Sequence, residues 1–467
     1  MPTQLLTLAV ENNHAGEVSI SITLLFGAIL VAMIACLALE EKLHARKSII
    51  VGTFATICLL LGAWVLPLPF GPAVLPGGHA VNLPVYIPAI DWGVIAIILG
   101  SSLFVDVTSK CGLFGWIAIK LTKASGGDPL KLLWVYGLMT VVFSAVLNNV
   151  TAMIIVGSLS AVSLKKLTRQ ELLLGFLLIE ALLTNIGGLL TLISSVPNII
   201  VGTTAGISFV EFFIKSSPFV AVATVATLIL GAKLFGIRRL AGADERAEAA
   251  FLVSGFDEND GIESRRFFFF GAFMLVAFIA TIATTSVLPF ISDLGMGFVA
   301  LAFAGVMLIR YKHDVNRFYR ALDWDLLGFF AALFAVISIM EHAQVLALIG
   351  TGVTHLIELG DRLGPASILI SSAAASSVTD NIPLAAMLAK IFAALDTPRE
   401  STLWWAVIFG ANLGGNLTPI GSASTLVAVT IIHKHGLKLS FGGFVVRAFP
   451  FAVFQIALAA GYVLLFL

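Results

Sequence analysis

Four short stretches interrupt long apolar sequence with Asn, Ser, Thr and Gly. Two are brief: Asn148-Asn149 with Thr151, and Thr379-Asp380-Asn381 with Pro383. Two are longer: "TNIGGLLTLISSVPN" (184–198) and "GANLGGNLTPIGSAST" (410–425). In a helix each glycine costs about 1 kcal/mol relative to alanine and a proline about 3 kcal/mol, so these segments break helices. Inside lipid an unpaired N–H or C=O costs several kcal/mol, so irregular backbone survives only where protein or a water-filled cavity surrounds it. Small hydroxyl and amide groups at such a break offer neutral oxygens and donors. Unwound carbonyls suit a sodium-like cation, and the N-terminus of a half-helix suits an anion. The same construction serves either sign.

The residues that would do this chemistry are, around the first pair of breaks, Asn148, Asn149, Thr151, Asn185, Gly187, Gly188 and Thr191. Around the second they are Asp380, Asn381, Asn412, Gly414, Gly415, Asn416, Thr418 and Ser422. Carboxylates at membrane depth are costly and mark ion or proton paths. Asp380 sits at a break, and Glu180 lies in "GFLLIEALLTNIGG", four residues before one. A dehydrated carboxyl can trade a proton for a cation near neutral pH. These two are the proton-coupling candidates, with hydrogen bonding to the hairpin backbone as the structural alternative for Glu180. Asp106 and Glu341, near the ends of corresponding spans, read as interfacial, and His433 and His435 as solvated. The sequons at Asn149 and Asn416 fall inside membrane segments, where no glycan is added.

The elements that position these groups are membrane helices. The 467 residues are 59% hydrophobic and 12% charged, against about 25% charged in a soluble domain. Runs such as 20–39 and 267–291 exceed the roughly 18 residues of a spanning helix. Candidate spans recur at 20–39, 49–67, 92–110, 130–147, 151–164, 171–185, 198–207, 217–236, 267–290, 294–311, 325–342, 365–379, 382–395, 402–413, 425–433 and 444–466. The first run follows a polar stretch without Lys or Arg, so it reads as a retained helix rather than a signal peptide. Basic loops at 40–47, 165–169 and 310–320 are candidates for the cytoplasmic side. Zero net charge gives no case for nucleic acid, and Cys36, Cys58 and Cys111 are too scattered for a disulfide frame or zinc cluster.

An internal repeat organises the chain. "DWGVIAIILGSSLFVD" from Asp91 matches "DWDLLGFFAALFAVIS" from Asp323, an offset of 232 (323 − 91 = 232). Asn148-Asn149 matches Asp380-Asn381 at the same offset. So does "SFVEFFIKSSPFV" from Ser208 with "SFGGFVVRAFPFA" from Ser440. The two Gly-rich stretches match at 227 (411 − 184 = 227). The organisation read from this is N-terminal transmembrane helices over 1–90, a first repeat over 91–235 with a hairpin near 184–198, a charged linker and connecting helices over 236–322, and a second repeat over 323–467 with a hairpin near 410–425. The fold class is an all-α polytopic membrane protein. Each repeat holds a re-entrant hairpin and a broken transmembrane helix.

"ALLTNIGG", "ANLGGNLTPIGSAS" and "TDNIPLAAM" resemble the ion transporter superfamily, which includes arsenite permeases, NhaD-type sodium/proton antiporters, the melanosomal P protein and, more distantly, dicarboxylate/sodium symporters. The likeness covers most of 91–467. It implies two inverted repeats, a homodimer, a scaffold domain, a transport domain that moves as an elevator, and ion sites at the breaks of each repeat. Relatives often carry an acid in a "GDPPN"-like stretch of the first hairpin and Asp-Asn at the first break. Here those places hold Ser194-Ser195 and Asn148-Asn149, so the first half has lost negative charge while the second keeps Asp380. The Ser-Asn-Thr signature of dicarboxylate symporters is absent as written.

The function expected is secondary active ion transport in a bacterial inner (plasma) membrane. Its leading form is proton-coupled antiport of a small cation such as sodium, with Asp380 titrating. The alternative is proton-coupled movement of a small oxyanion or oxyacid, arsenite-like or silicic-acid-like, or of another inorganic anion. Partners expected are the inorganic ion, protons, the lipid bilayer and a second copy of the chain. Sodium at the hairpins is the expected metal, with no other cofactor. A channel would want a continuous polar pore instead of paired dead-end hairpins. An intramembrane enzyme would need HExxH, GxSxG or GxGD, and an ATP-driven pump a Walker loop; none is present.

Overall fold

Short polar side chains start most of the helices that matter for the site. Asp128 accepts from the N–H of Lys131 with Pro129 at the first helical position, Ser208 accepts from Glu211 N–H, and Ser440 accepts from Gly443 N–H. Each satisfies a donor that the helix cannot pair internally. Ser208 and Ser440 are equivalent positions of the sequence repeat. So are Pro218 and Pro450, which lie inside the two 26-residue helices that follow, Phe209–Leu234 and Phe441–Phe466.

A computed structural model describes residues 18–68, 72–74 and 80–467. The protein is all-helical there, apart from an antiparallel pair of three-residue strands, Pro72–Val74 and Ala80–Asn82. Among the described residues ten helices are long and apolar enough to cross a membrane, and five shorter apolar helices accompany them. This is a multi-pass integral membrane protein.

The chain forms two compact units. One comprises the described part of 1–92 together with 323–355. In it helix Lys47–Val65 packs on Trp324–His342 and on Ile20–Ala38. The backbone N–H of Ser48 donates to Asp325 at 3.3 Å, and its hydroxyl donates to the same oxygen. The repeat assigns Trp324–His342 to the second half, yet it packs here among the N-terminal helices. The other unit comprises 93–322 and 356–467 and contains all four polar breaks. Its core includes the ring cluster of Phe104, Phe278 and Phe303, with centroids 4.4 to 5.9 Å apart.

Several elements differ from the sequence reading. Helix Phe209–Leu234 begins eight residues before the expected span, because Pro218 is accommodated within it. Helices Leu113–Ser125 and Val345–Ile357 were missed: at 13 residues each they fall below spanning length. The stretch read as a charged linker contains helix Ala243–Ser254, whose first turn carries Asp244 and Glu245, favourable to the helix dipole. The segment after it is tied down. Glu258 takes hydrogen bonds from Lys120, at 2.7 Å, and from Lys123, and these hold its carboxyl down to about 2. Lys166 lies 4.0 Å over the ring of Phe256. Cys36, Cys58 and Cys111 are free thiols.

Candidate ion and substrate site

Each Gly-rich stretch is the turn of a helix–turn–helix. The first runs from helix Leu173–Gly187 through a 3-10 turn at Leu192–Ser194 into helix Val196–Thr204. The second runs from Thr402–Gly414 into Ala423–Lys434. The leading helices persist to Gly187 and Gly414, so Asn185 and Asn412 sit on a last helical turn. The broken helices end and restart at Leu147–Asn149 and at Thr379–Asn381.

Close approach explains the first glycine of each pair. A Cβ on Gly187 would stand 2.6 Å from the carbonyl oxygen of Val141, and one on Gly414 only 2.2 Å from that of Ala373. Both neighbours are backbone, which cannot swing away. The contact is extended by hydroxyls. Ser144 donates to the carbonyl of Thr184 and Ser376 to that of Ala411, each at 2.6 Å. Thr191 donates to Ala145 O at 2.6 Å and Thr418 to Ser377 O at 2.5 Å. All four pairs fall on equivalent positions of the repeat. Each hairpin is thus buttoned to the helix that ends at its own break.

The hairpins also bond to each other. Ser195 donates to Asn412 Oδ1 at 2.7 Å, and Ser422 donates to Asn185 Oδ1 at 3.1 Å, another equivalent pair. Asn185 donates to Asn416 Oδ1 at 2.8 Å, and Asn412 to Asn198 Oδ1 at 2.8 Å. Asn185, Asn198, Asn412 and Asn416 are all at most 2% exposed. A buried amide without partners would cost a few kcal/mol, so this network is held because nearly every group in it is paired.

The expected site residues divide into two groups. Asn185, Gly187, Gly188, Thr191, Asn412, Gly414, Gly415, Asn416 and Thr418 are buried in the seam between hairpins and breaks. Asn148, Asn149, Thr151, Asp380, Asn381 and Ser422 are less covered. Asn148 caps its helix through Thr151 N–H at 2.7 Å, and Asp380 caps the other through Ile382 N–H at 3.0 Å. Asn149 accepts from Ser144 at 2.6 Å and donates to Asn185 at 3.3 Å. No described hydrogen bond joins Asn381 to Ser376 or Asn412, the counterparts of Ser144 and Asn185. Asn149 adds a bond from the first break to its hairpin, and the second break carries the acid.

Glu180 is fully buried and does not bond to the hairpin backbone; Ser160 donates to one of its oxygens. Asp106 is half-buried, 3.9 Å from Lys110. Sequence reasoning missed Ser144, Asn198, Thr227 and Gln455. Gln455 accepts from Asn416 at 2.7 Å and donates to Thr227 at 3.0 Å, tying the second hairpin to both 26-residue helices. A lone glutamine within "FAVFQIALAAG" was the available signal.

Comparison with known proteins agrees with this architecture. Residues 15–410 match the family described as citrate transporter, CitMHS. The chain belongs to the CitMHS family. It is a membrane transporter, within the ion transporter superfamily. A 46 kDa membrane protein of Mycobacterium leprae is 31% identical over 80% of this chain and 86% of its own length. An uncharacterized transporter of Mycobacterium tuberculosis is 30% identical over the same shares. The human P protein is 24% identical over 91% of this chain and 60% of its own length. Among solved structures, the YdaH transporter of Alcanivorax borkumensis aligns with a TM-score of 0.58 at 14% identity, over 90% of this chain and 98% of that one. The MtrF antimetabolite efflux pump of Neisseria gonorrhoeae aligns at 0.51 and 13% identity, over 91% and 95%. These last two likenesses concern the fold.

Proposed function

We propose that this CitMHS-family member is a proton-coupled secondary transporter that exchanges protons for a small cation such as sodium, with Asp380 as the titrating group. The observation that carries the reading is the placement of one acid at a break otherwise built from neutral amides and hydroxyls. A carboxylate at a membrane-depth break is costly, and either a proton or a hard cation supplies the compensation. Carboxylate, amide and hydroxyl oxygens are the donor set that a sodium-like cargo ion takes. In this reading the two halves are inverted repeats, the hairpins with their broken helices move as an elevator, and the protein works as a dimer.

A second reading has its own support. Four helices start at the breaks and hairpin turns, at Asn149, Val196, Asn381 and Ala423. At Val196 and Ala423 the preceding serine does not cap its helix, because its hydroxyl is turned to the asparagine of the other hairpin. Helix N-termini of this kind favour anions. With the family's description as citrate transporters, this favours a small carboxylate or oxyanion as co-substrate.

Counterflow uptake into proteoliposomes carrying a pH-sensitive dye, with sodium, lithium, citrate and arsenite offered in turn, separates the readings. Cation exchange predicts a pH change on adding sodium or lithium with no anion present. A response to citrate or arsenite alone would move the assignment to the anion. Flux without counterflow would point to a channel.

A further inference from the structure

Outside the hairpin seam the protein buries a carboxyl with almost no compensation. Glu180 is 0% exposed, on helix Leu173–Gly187, one turn before Thr184 and Asn185. Ser160 donates to Oε1, and Oε2 has no partner. The elements packed against that helix are Pro129–Val146, Asn149–Lys166, Phe209–Leu234, Thr402–Gly414, Ala423–Lys434 and the turn Gln170–Leu172. Among the described residues none of them brings a Lys, Arg or His into electrostatic range of Glu180, and Tyr136 is the titratable group they bring near it. An ionised carboxylate so placed is costly, and a proton is the compensation that the surroundings leave open to it.

A line of buried hydroxyls leads away from it. Ser160 and Ser163 stand one turn apart on one helix face. Ser163 is 2.7 Å from the Tyr136 hydroxyl, which is 2.8 Å from Thr122 Oγ1. Thr122 is held in place by its own bond to Ala118 O at 2.8 Å. Ser125 donates to Thr122 O at 2.6 Å and accepts from Gly127 N–H at 3.1 Å. Gly127 lines an open cavity of about 170 Å³, together with Pro129, Leu167, Arg169, Glu245 and Glu248. Thr122, Tyr136, Ser160 and Ser163 are each 0% exposed.

We propose that Glu180 is a proton-binding site separate from the Asp380 break, loaded through Thr122, Tyr136, Ser163 and Ser160 from the cavity at Gly127. At each step one O–H bond forms on the accepting oxygen and one breaks on the same group as it passes its proton inward. No electrons are transferred, and the net change is one proton gained by the Glu180 carboxylate. Two links are not direct bonds: Ser163 to Ser160, about 5–6 Å between Cβ atoms one turn apart, and the cavity side to the Thr122 hydroxyl, since Ser125 bonds the Thr122 carbonyl; each requires one bridging water. The charge of Glu180 then acts on the start of the first hairpin through Thr184 and Asn185.

The proposal rests on the proton-coupled reading only for its consequence in transport, because proton binding is measurable without substrate. Infrared titration of the purified full chain should show a carboxylic C=O band that Glu180→Gln abolishes and Asp380→Asn retains. Tyr136→Phe should slow proton exchange at that band at least tenfold while leaving its midpoint in place. Ser160→Ala, which keeps Glu180, should shift the band and guards against a misfolded Glu180→Gln protein. A band unaffected by Glu180→Gln in a folded protein overturns the site, and an unchanged exchange rate in Tyr136→Phe overturns the relay. If the band behaves as stated but no flux moves protons, the site stands and the transport reading fails.

Discussion

Asn412 shows what a single side chain contributes. Its oxygen accepts from Ser195, and its nitrogen donates to Asn198 and to the carbonyl of Ile408. Asn412→Ala leaves the Ser195 hydroxyl and the Asn198 oxygen buried without partners. A loss of about 1–3 kcal/mol per orphaned group is expected, and thermal unfolding in detergent should show it as a clear drop in Tm. Asn148→Ala, at a less covered position, removes only a helix cap and should cost about 1 kcal/mol. A larger loss at Asn148 than at Asn412 would contradict the division of the site into a structural seam and an accessible rim. The sequence marked both asparagines as site residues alike. It could not separate them, because the difference lies in partners more than 200 positions away.

The elements extend the same logic to backbone. Gly414→Ala forces a methyl toward the carbonyl of Ala373, and Gly187→Ala does so toward Val141. Overpacking of this kind costs about 1–3 kcal/mol. The tighter contact makes Gly414 the more sensitive of the two, and the order of their melting temperatures checks it. The linker offers a pH test. The carboxyl of Glu258 is held down to about 2 by Lys120 and Lys123 against an ordinary value of 4.5. A group lowered on folding stabilises above its ordinary value, and that contribution is lost as pH falls through the interval between 4.5 and about 2. Amide exchange over 255–262 should therefore rise across that window in the native chain, beyond the intrinsic pH trend, and show no such step in Glu258→Gln. The Gly-Gly spacing and the polar turns made the hairpins legible in sequence. Helices Leu113–Ser125 and Ala243–Ser254 were not, since neither is long or apolar enough to stand out, and the Lys–Glu contacts between their neighbourhoods join distant positions.

For the whole molecule, the matched offsets found in sequence recur as matched contacts: Ser144 with Ser376, Thr191 with Thr418, Ser195 with Ser422. The departures from that match carry the functional account. Where the second half has Asn416 bonded to Gln455, the equivalent positions in the first are Leu189 and Ala223, and where it has Asp380 the first has Asn148. The offsets are legible in sequence because they need only pattern. The packing of Trp324–His342 among the N-terminal helices was not, since an apolar helix does not announce its neighbours. The asymmetry makes the second break the charged one, so transport should depend on Asp380 far more than on Asn148. The direct measurement is internal pH in proteoliposomes after an external sodium pulse. The account predicts alkalinisation by the native protein, near-complete loss in Asp380→Asn, and a retained response in Asn148→Ala. An undiminished signal from folded Asp380→Asn protein would contradict it.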